Sequence, residues 1–295
     1  MPAEPAETAA APGPPAAVDP LLAPGQPTPP APLDEAVALA LVRHGELDLE
    51  GRLVEASNTT LRAVVTLDGV AARCVYKPVR GERPLWDFPD GTLAGRELAA
   101  YLVSVATGWG IVPPTVLRDG PLGFGACQLW VDEPAEAEPV LGFVPSRRMP
   151  AGWRRVVAAR DERGRAYTLA HADDERLVRI AVFDAVVNNA NRKGGHLITD
   201  GYGRLYGVDH GVCFHVQDKL RTVLWGWAGE ALPEFATEIL DRLRADLAGP
   251  LGASLAEHLT GAEVAAAAVR VDRLLAAARF PEPDHDWPPL PWPPI

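Results

Sequence analysis

The residues with the clearest chemical pattern lie between positions 184 and 214. Asp184 precedes the run Asn191-Arg192-Lys193, and a second acidic residue, Asp209, follows after a predicted hairpin. Phosphoryl transfer requires a group beside the attacking hydroxyl, a cation on the transferred phosphate and ligands that hold Mg²⁺ between the phosphates. The pattern therefore predicts a phosphoryl-transfer site.

The order of these residues is similar to the catalytic loop of kinases, in which a metal-binding residue follows the base by five positions. Here His196 follows position 191 by five residues, with Lys193 between them. We predict that Asn191 and Lys193 are catalytic and that Asp209 and His196 bind the metal. Two simpler interpretations stay open: Lys193 is an exposed loop cation, and Asp209 is an ordinary turn residue. Asp184 lies on an otherwise apolar predicted helix and is expected to brace the loop through hydrogen bonds.

The first half of the chain has the pattern of a small α+β lobe. Asp34 is expected to cap a short helix at 34–44, and Thr92 is expected to cap a second helix. Short β-type runs, separated by polar or glycine-bearing turns, predict an antiparallel meander. These runs lie at 53–55, 61–67, 72–77, 115–118 and 125–131.

The second half is predicted to be mainly helical. Helices are expected at 173–187, 230–246 and 261–279, and two strands at 196–198 and 204–208. Residues 1–32 consist mostly of Ala, Pro and small polar residues, which bury too little apolar surface to offset the entropy of ordering. The predicted domains are a disordered Pro/Ala-rich tail at 1–32, an N-lobe at 33–134, a C-lobe at 135–280 and a Pro/Trp-rich tail at 281–295.

Two segments resemble the phosphatidylinositol 3-/4-kinases. The segment 184–192, Asp-(x)₄-Asn-Ala-Asn-Arg, resembles the Asp…Asn-x-Asp-Arg run of that family, and 208–211, Val-Asp-His-Gly, resembles its Ile-Asp-Asn/His-Gly segment. The layout extends over about 34–278, and an actinobacterial branch of the family is indicated. The resemblance implies a bilobal protein-kinase-like α+β fold of the PI3/4-kinase type, with a small β-rich N-lobe and a larger helical C-lobe. It also implies ATP and Mg²⁺ as cofactors and Arg192 as a catalytic-loop residue.

The resemblance further gives roles to Lys77 and Glu97. Lys77 ends the third predicted strand, and Lys193 and Lys219 are the only other lysines of the sequence. By this resemblance Lys77 contacts the α- and β-phosphates of ATP and pairs with Glu97 on the following helix. The alternatives are a chance lysine at a strand end and a solvated glutamate on a helix.

Two further stretches are expected to contact the nucleotide. The turn after the first strand occupies the position of the phosphate-covering loop, and it lacks glycine, so its backbone amides and hydroxyls would contact the phosphates. The end of the last strand of the N-lobe would supply backbone groups to the adenine edge. The predicted contacts are, in chain order, Ser57, Asn58, Thr59, Gln128, Leu129 and Val131.

Two positions depart from the family. Position 191 carries Asn where the family has a catalytic Asp, and an amide cannot accept a proton as a carboxylate does. Asn191 therefore indicates an inactivating substitution or a weak or non-catalytic member. His196 replaces Asn as a metal ligand, and it could instead orient a phosphate.

The leading hypothesis is an ATP-dependent kinase that transfers the γ-phosphate to a hydroxyl acceptor, and the resemblance suggests an inositol- or polyol-type small molecule. One alternative is phosphorylation of proteins at the same site, and another is nucleotidyl transfer. A third is a nucleotide-binding pseudokinase that serves as a sensor or scaffold, with the Pro/Trp-rich tail as its partner-binding segment.

Composition and charge narrow the choice of partners. The formal net charge of the 295-residue chain is −11, which opposes binding to nucleic acid. The sequence contains neither an apolar run of membrane-spanning length nor the basic and apolar regions of a signal peptide. Cys74, Cys127 and Cys213 are far apart and odd in number, so we expect buried free thiols and a cytoplasmic protein. We expect a monomer.

Overall fold

A five-stranded antiparallel sheet forms the scaffold of the first half of the chain. This computed structural model describes residues 33–53, 58–284 and 288–295. The predicted tail at 1–32 and Ser57 lie outside the described residues. In chain order the elements are α1 Glu35–His44, β1 Glu46–Arg52, β2 Leu61–Leu67, β3 Val70–Pro78, α2 Leu93–Thr107, β4 Thr115–Gly120 and β5 Gly123–Leu129. The strands are hydrogen-bonded in the order β1-β2-β3-β5-β4.

The hairpin between β2 and β3 illustrates how the local sequence sets this sheet. Ala63 and Val65 are buried on one face of β2 and pack with residues of α1. Asp68 and Gly69 form the turn with φ of 49° and 80°. Two consecutive residues with positive φ suit a tight hairpin, and Asp-Gly tolerates this conformation well. The predicted antiparallel meander is confirmed for β2 and β3, whereas its first strand, predicted at 53–55, lies earlier in the chain at Glu46–Arg52. Residues 54 and 55 lie outside the described residues.

Helix α2 crosses from the end of β3 to the start of β4 and carries two buried charges. The Thr92 hydroxyl accepts a backbone N–H of the first turn at 2.9 Å, and Gly108 ends the helix with φ 70°. Arg96 is almost fully buried and lies 2.7 Å from the carboxylate of Glu263. Glu97 is also buried, and this places its carboxylate inside the protein.

The second half contains a further sheet and a group of helices. Its elements are β6 Leu141–Pro145, β7 Trp153–Arg160, β8 Ala166–Ala172, α3 Glu175–Val187, β9 Leu197–Thr199, β10 Leu205–Gly207, α4 Glu234–Leu247, α5 Pro250–Leu255 and α6 Gly261–Ala277. Strands β6, β8 and β7 form an antiparallel sheet in that order, and β9 pairs with β10. Helices α3, α4 and α6 and the β9–β10 hairpin correspond to the predicted ones, and α5 was not predicted.

The prediction of a mainly helical second half was wrong for residues 141–172. Strand β7 is exposed over much of its length, and its register shifts between Arg155 and Val157. Half-exposed strands with a bulge lack the strict alternation of buried and exposed residues that identifies a strand in a sequence. The sequence of these strands therefore shows no clear strand pattern.

The largest group of buried apolar residues combines both halves of the chain. Ala99 and Val103 of α2 share this core with Leu177 and Ile180 of α3 and with Val271 of α6. The fold is thus mixed α and β, with a sheet-rich N-terminal part and a helical C-terminal part. The boundary proposed near residue 134 stays a prediction. Among the described helices, none combines the length and the apolar character needed to cross a bilayer.

Candidate active site

Three charged side chains from distant parts of the chain meet in one cluster. Lys77 lies near the end of β3, Glu97 in the second turn of α2 and Asp209 just after β10. Lys77 Nζ contacts Glu97 Oε1 and lies 2.9 Å from Asp209 Oδ1. The side chain of Glu97 is 3% exposed and that of Asp209 is 50% exposed, so the cluster opens to solvent on the side of Asp209.

The charges of this cluster keep it ionised. Burial disfavours the charge of Lys77, but the carboxylates of Asp209 and Glu97 outweigh this effect and raise the pKa of Lys77 above its ordinary value. The positive charge of Lys77 in turn holds the pKa of Asp209 well below its usual range. At neutral pH a fixed ammonium group therefore lies beside an accessible carboxylate, a charge pattern that suits phosphate oxygens and a bound cation.

The backbone at Asp209 is held by α2. Asp209 has φ 62°, a left-handed conformation in which Asp is found more often than most non-glycine residues. The N–H of the next residue, His210, donates to Glu97 Oε2 at 3.1 Å. One buried carboxylate therefore positions both Lys77 and the backbone that follows Asp209.

A buried ion pair braces the loop that follows α3. Arg192 Nε and Nη2 donate to the two carboxylate oxygens of Asp184 at 2.8 and 2.9 Å, and neither side chain is exposed. Asn189 Nδ2 also donates to Asp184 Oδ1 at 3.0 Å. Arg192 Nη1 donates to the carbonyl of Val208, one residue before Asp209, at 3.0 Å. These contacts are the bracing hydrogen bonds expected of Asp184.

The prediction of a catalytic role for Arg192 needs a correction. Its guanidinium group is fully buried and is surrounded by Asp184, the carbonyl of Val208 and His210 Nε2, which lies 2.7 Å from Nη2. A guanidinium group in this position cannot reach a phosphate. Arg192 is therefore a positioning residue that joins the loop after α3 to the segment that carries Asp209.

The backbone at position 191 is fixed from two sides. The N–H of Asn191 donates to Asn189 Oδ1 at 2.9 Å. The N–H of the next residue, Arg192, donates to the carbonyl of Arg221 at 2.9 Å. The structure thus holds the loop in one conformation, while the catalytic role of Asn191 stays a prediction.

His196 lies next to Asp209. Its Nε2 is 3.5 Å from Asp209 Oδ2. Burial lowers the pKa of His196 to about 4, and the charges of Arg192 and Lys193 act in the same direction, so the imidazole is neutral at pH 7. Its Nδ1 is buried and accepts or donates no hydrogen bond among the described residues. Lys193 is half-buried beside it.

These groups suit a divalent cation that also binds a substrate. Within the described residues, no three His, Cys, Asp or Glu side chains lie close enough together to hold a metal ion. Mg²⁺, however, usually keeps several waters and binds one or two carboxylates together with phosphates. Asp209 offers the preferred oxygen ligand, and neutral His196 is the nearest additional donor. The pair fits a cation whose coordination is completed by phosphates.

The predicted phosphate-covering turn is only partly described. Ser57 lies outside the described residues. Asn58 Oδ1 accepts the N–H of Arg83 at 2.8 Å, and the N–H of Thr59 donates to the carbonyl of Gly81 at 3.1 Å. These groups fasten the turn to the segment just after β3. The N–H of Thr59 is therefore used within the protein, and the predicted contacts of the Asn58 N–H and the Thr59 hydroxyl with phosphate stay predictions.

The residues predicted to contact the adenine edge lie at the end of β5 and just beyond it. The side chain of Gln128 is buried and donates to the hydroxyl of Thr115 at 2.8 Å. The N–H of Leu129 donates to the carbonyl of Pro114 at 2.9 Å. The Leu129 N–H is therefore used within the protein, and the predicted contacts of the other backbone groups of Gln128 and Leu129 with adenine stay predictions. Val131 lies two residues beyond the end of β5, where the backbone leaves the sheet, and its predicted contact stays a prediction.

A separate cavity of about 1380 Å³ lies beside the residues that follow β5. Its lining includes Trp109, Trp130, Asp132, Arg176 and Tyr206. Lys77, Glu97 and Asp209 are absent from that lining. The charged cluster is thus a different site from this cavity.

Comparison with known proteins gives one strong match. The chain is 48% identical over 262 residues to Protein Rv2133c of Mycobacterium tuberculosis, and the match covers 86% of this chain and 94% of the relative. The chain belongs to the family of this protein. No known family profile matches the sequence.

Among solved structures, the chain is similar to a crystal structure of the Golgi casein kinase. The TM-score is 0.46 and the sequence identity 13%, over 85% of this chain and 79% of that chain. A likeness of this size is too small to assign a function. The coarse architecture described above and the geometry of the charged cluster therefore carry the functional argument.

Sequence reasoning missed two groups of contacts around the site. Lys219 Nζ donates to Asp87 Oδ2 at 3.0 Å, which ties the segment after Asp209 to the loop after β3. Residues 288–295 form hydrogen bonds with the loop after α3. The contact of Lys219 with Asp87 had a signal in the sequence, because Lys219 is one of only three lysines. The second left no signal in the sequence, because it depends on backbone groups.

Proposed function

We propose that this chain binds ATP with Mg²⁺ at the cluster of Lys77, Glu97 and Asp209 and transfers the γ-phosphoryl group to a hydroxyl acceptor. The observation that carries the proposal is the contact of Lys77 with both carboxylates. In protein kinases a lysine of the third strand pairs with a glutamate of the following helix, and a later aspartate holds Mg²⁺. The same side-chain types occur here in the same chain order and in direct contact.

Each member of the cluster has a distinct role in this proposal. The ammonium group of Lys77 binds oxygens of the α- and β-phosphates, and Glu97 holds that ammonium group in place. Asp209 and His196 hold Mg²⁺, which neutralises charge on the phosphates. In phosphoryl transfer the protein contributes mainly positioning and electrostatic stabilisation. A rigid cluster with a buried glutamate is suited to this task.

The residue at position 191 of the catalytic loop allows two versions of the proposed function. Asn191 would lie beside the acceptor hydroxyl, where its amide can orient the hydroxyl but cannot accept its proton. Lys193 would stabilise the transferred group. The chain is therefore either a slow kinase or, as the second candidate, a nucleotide-binding pseudokinase that acts as a sensor. The amide at position 191 is the observation that favours the second form.

Membership of the phosphatidylinositol 3-/4-kinases is the finer part of the proposal. It rests on the segments 184–192 and 208–211, and a polyol-type acceptor would follow from it. Protein phosphorylation and nucleotidyl transfer need the same Lys77, Glu97 and Asp209. Transfer assays with each acceptor class, and with ATP labelled at the α- or γ-phosphate, separate these reactions.

Nucleotide binding is tested by a thermal shift with Mg²⁺-ATP. A ligand at 100 times its dissociation constant stabilises the folded state by about 2.7 kcal/mol. For a domain of this size the melting temperature should rise by roughly 5–10 °C. Lys77→Ala should lose most of this shift, and Asp209→Ala should lose the part that depends on Mg²⁺.

The matched control is Arg244→Ala, which removes an exposed cation from α4. This variant should keep the full shift. If Lys77→Ala retained the shift of the parent protein, ATP would bind elsewhere and the proposal would be overturned. A parent protein that showed no shift at millimolar Mg²⁺-ATP would overturn it as well.

A further inference from the structure

The last part of the chain lies against the candidate catalytic loop. We call residues 288–295 the Pro/Trp segment. Its carbonyl groups accept four hydrogen bonds from the loop and from the residues that support the loop. The four donor–acceptor pairs are Gly194 N to Pro294 O at 2.8 Å, Thr222 N to Pro289 O at 3.0 Å, Trp225 Nε1 to Pro289 O at 2.8 Å and Arg221 Nη2 to Leu290 O at 3.2 Å.

The residues that receive these contacts also support position 191. The N–H of Arg221 donates to the carbonyl of Asn189, and the N–H of Val223 donates to the carbonyl of Arg192. Residues 221–223 therefore run alongside the loop. The Pro/Trp segment contacts residues 221–225 and also the loop itself, at Gly194.

Side-chain packing strengthens the contact at Gly194. A Cβ atom added there would lie 2.8 Å from Leu141 Cδ2 and 3.5 Å from Ile295 Cγ1, so the Pro/Trp segment and β6 both close on this glycine. Pro291 and Pro294 are buried, and Trp292 is 65% exposed. The proline side chains thus anchor the segment to the protein.

The loop needs this support because it contains two consecutive glycines. Gly194 and Gly195 lose more conformational freedom on ordering than other residues do. His196 comes directly after them and faces Asp209. Without the segment, the N–H of Gly194 would lose its acceptor, the carbonyl of Pro294.

We propose that the Pro/Trp segment is a positioning element that clamps the Lys193–His196 part of the loop and thereby holds His196 opposite Asp209. The inference rests on the proposed function. Its hydrogen bonds are with the Gly194 N–H of the loop and with the supporting residues 221–225, so the segment supports the site and does not cover it. Release of the segment should therefore slow transfer and weaken the part of ATP binding that depends on Mg²⁺.

The clamp is tested first without any activity assay. Pro294→Asp places a charge in a buried position, whereas Trp292→Ala changes an exposed residue of the same segment. Hydrogen exchange of peptides that cover 189–196 should become at least about tenfold faster in Pro294→Asp, because local opening exposes backbone amides. Exchange in Trp292→Ala should match that of the parent protein.

The second readout is turnover of ATP, measured in the Asn191→Asp background. Pro294→Asp should lower kcat by about tenfold or more and raise the dissociation constant of Mg²⁺-ATP, while the dissociation constant of ATP without Mg²⁺ should stay unchanged. A truncated chain that lacks 288–295 should regain both slow exchange and turnover when a peptide with this sequence is added.

Unchanged exchange in Pro294→Asp would overturn the inference, and so would a rise in turnover, which would mean that the segment covers the site. If Pro294→Asp did not fold, Ile295→Asp would provide the same comparison at an exposed position. Failure of the parent protein to bind ATP would overturn the proposed function alone, because hydrogen exchange measures the clamp independently.

Discussion

The buried pair of Asp184 and Arg192 offers a sharp test of how the site is held together. Asp184→Asn preserves the size of the side chain and removes its charge. In the present structure the carboxylate accepts two hydrogen bonds from Arg192 and one from Asn189. An amide at this position would direct an NH₂ group at one of these donors and leave the guanidinium group without a counter-charge.

The expected cost follows from burial. Both side chains are 0% exposed, so water cannot replace the lost interaction. Removal of one partner of a buried ion pair costs about 3–5 kcal/mol. For a chain of this size, 1 kcal/mol corresponds to a change in melting temperature of roughly 2–4 °C. Asp184→Asn should therefore lower the melting temperature by roughly 6–20 °C.

The assay is unfolding followed by circular dichroism, by heat for the melting temperature and by urea for the free energy of unfolding. The control variant is Asp241→Asn. Asp241 forms an ion pair with Arg244 at 2.8 Å on the surface of α4, and both side chains are more than half exposed. Exposed pairs contribute about 0–1 kcal/mol, so this variant should change the free energy of unfolding little. Equal effects of the two variants would refute the argument that burial of the Asp184 pair stabilises the loop.

Three further changes have defined outcomes. Asn191→Asp should raise ATP turnover by about 10²–10⁴-fold with unchanged ATP affinity, because a carboxylate can act as general base. If the Asn191→Asp variant binds ATP but transfers no phosphate to polyols, lipids or proteins, the sensor hypothesis is favoured. Burial lowers the pKa of His171 to about 4, whereas the pKa of a histidine in the unfolded chain is about 6.5. When the pH falls from 7.5 to 5, this difference should reduce the free energy of unfolding by about 2 kcal/mol. Stability is lost as pH falls because the unfolded state binds the proton more tightly, and His171→Gln should flatten the urea-midpoint profile. Gly125→Ala should weaken both stability and ATP binding, because its Cβ would lie 2.3 Å from the carbonyl of Lys77, whereas Gly142→Ala has open space and should be tolerated.

The structural elements that are determined by residues close together in the sequence were predictable from the sequence. Asp34 and Thr92 cap the helices that they were expected to begin, and Asp68-Gly69 forms the expected turn. Caps and tight turns satisfy backbone groups within a few residues, so their signals are local. The sheet at 141–172 was missed because its half-exposed strands are defined by pairing with one another.

For the candidate site, the sequence by itself determined the types and the order of the charged residues. Asp209 was predicted from its place after the catalytic-loop pattern, and Lys77 and Glu97 were predicted from the resemblance to the phosphatidylinositol 3-/4-kinases. Their meeting in one cluster required the full fold. The tertiary structure alone decided that Arg192 is buried against Asp184 and that the Pro/Trp segment lies on the loop. Long-range packing selects those partners, and the buried environment gives a guanidinium group or a backbone N–H a role that spacing along the chain does not specify.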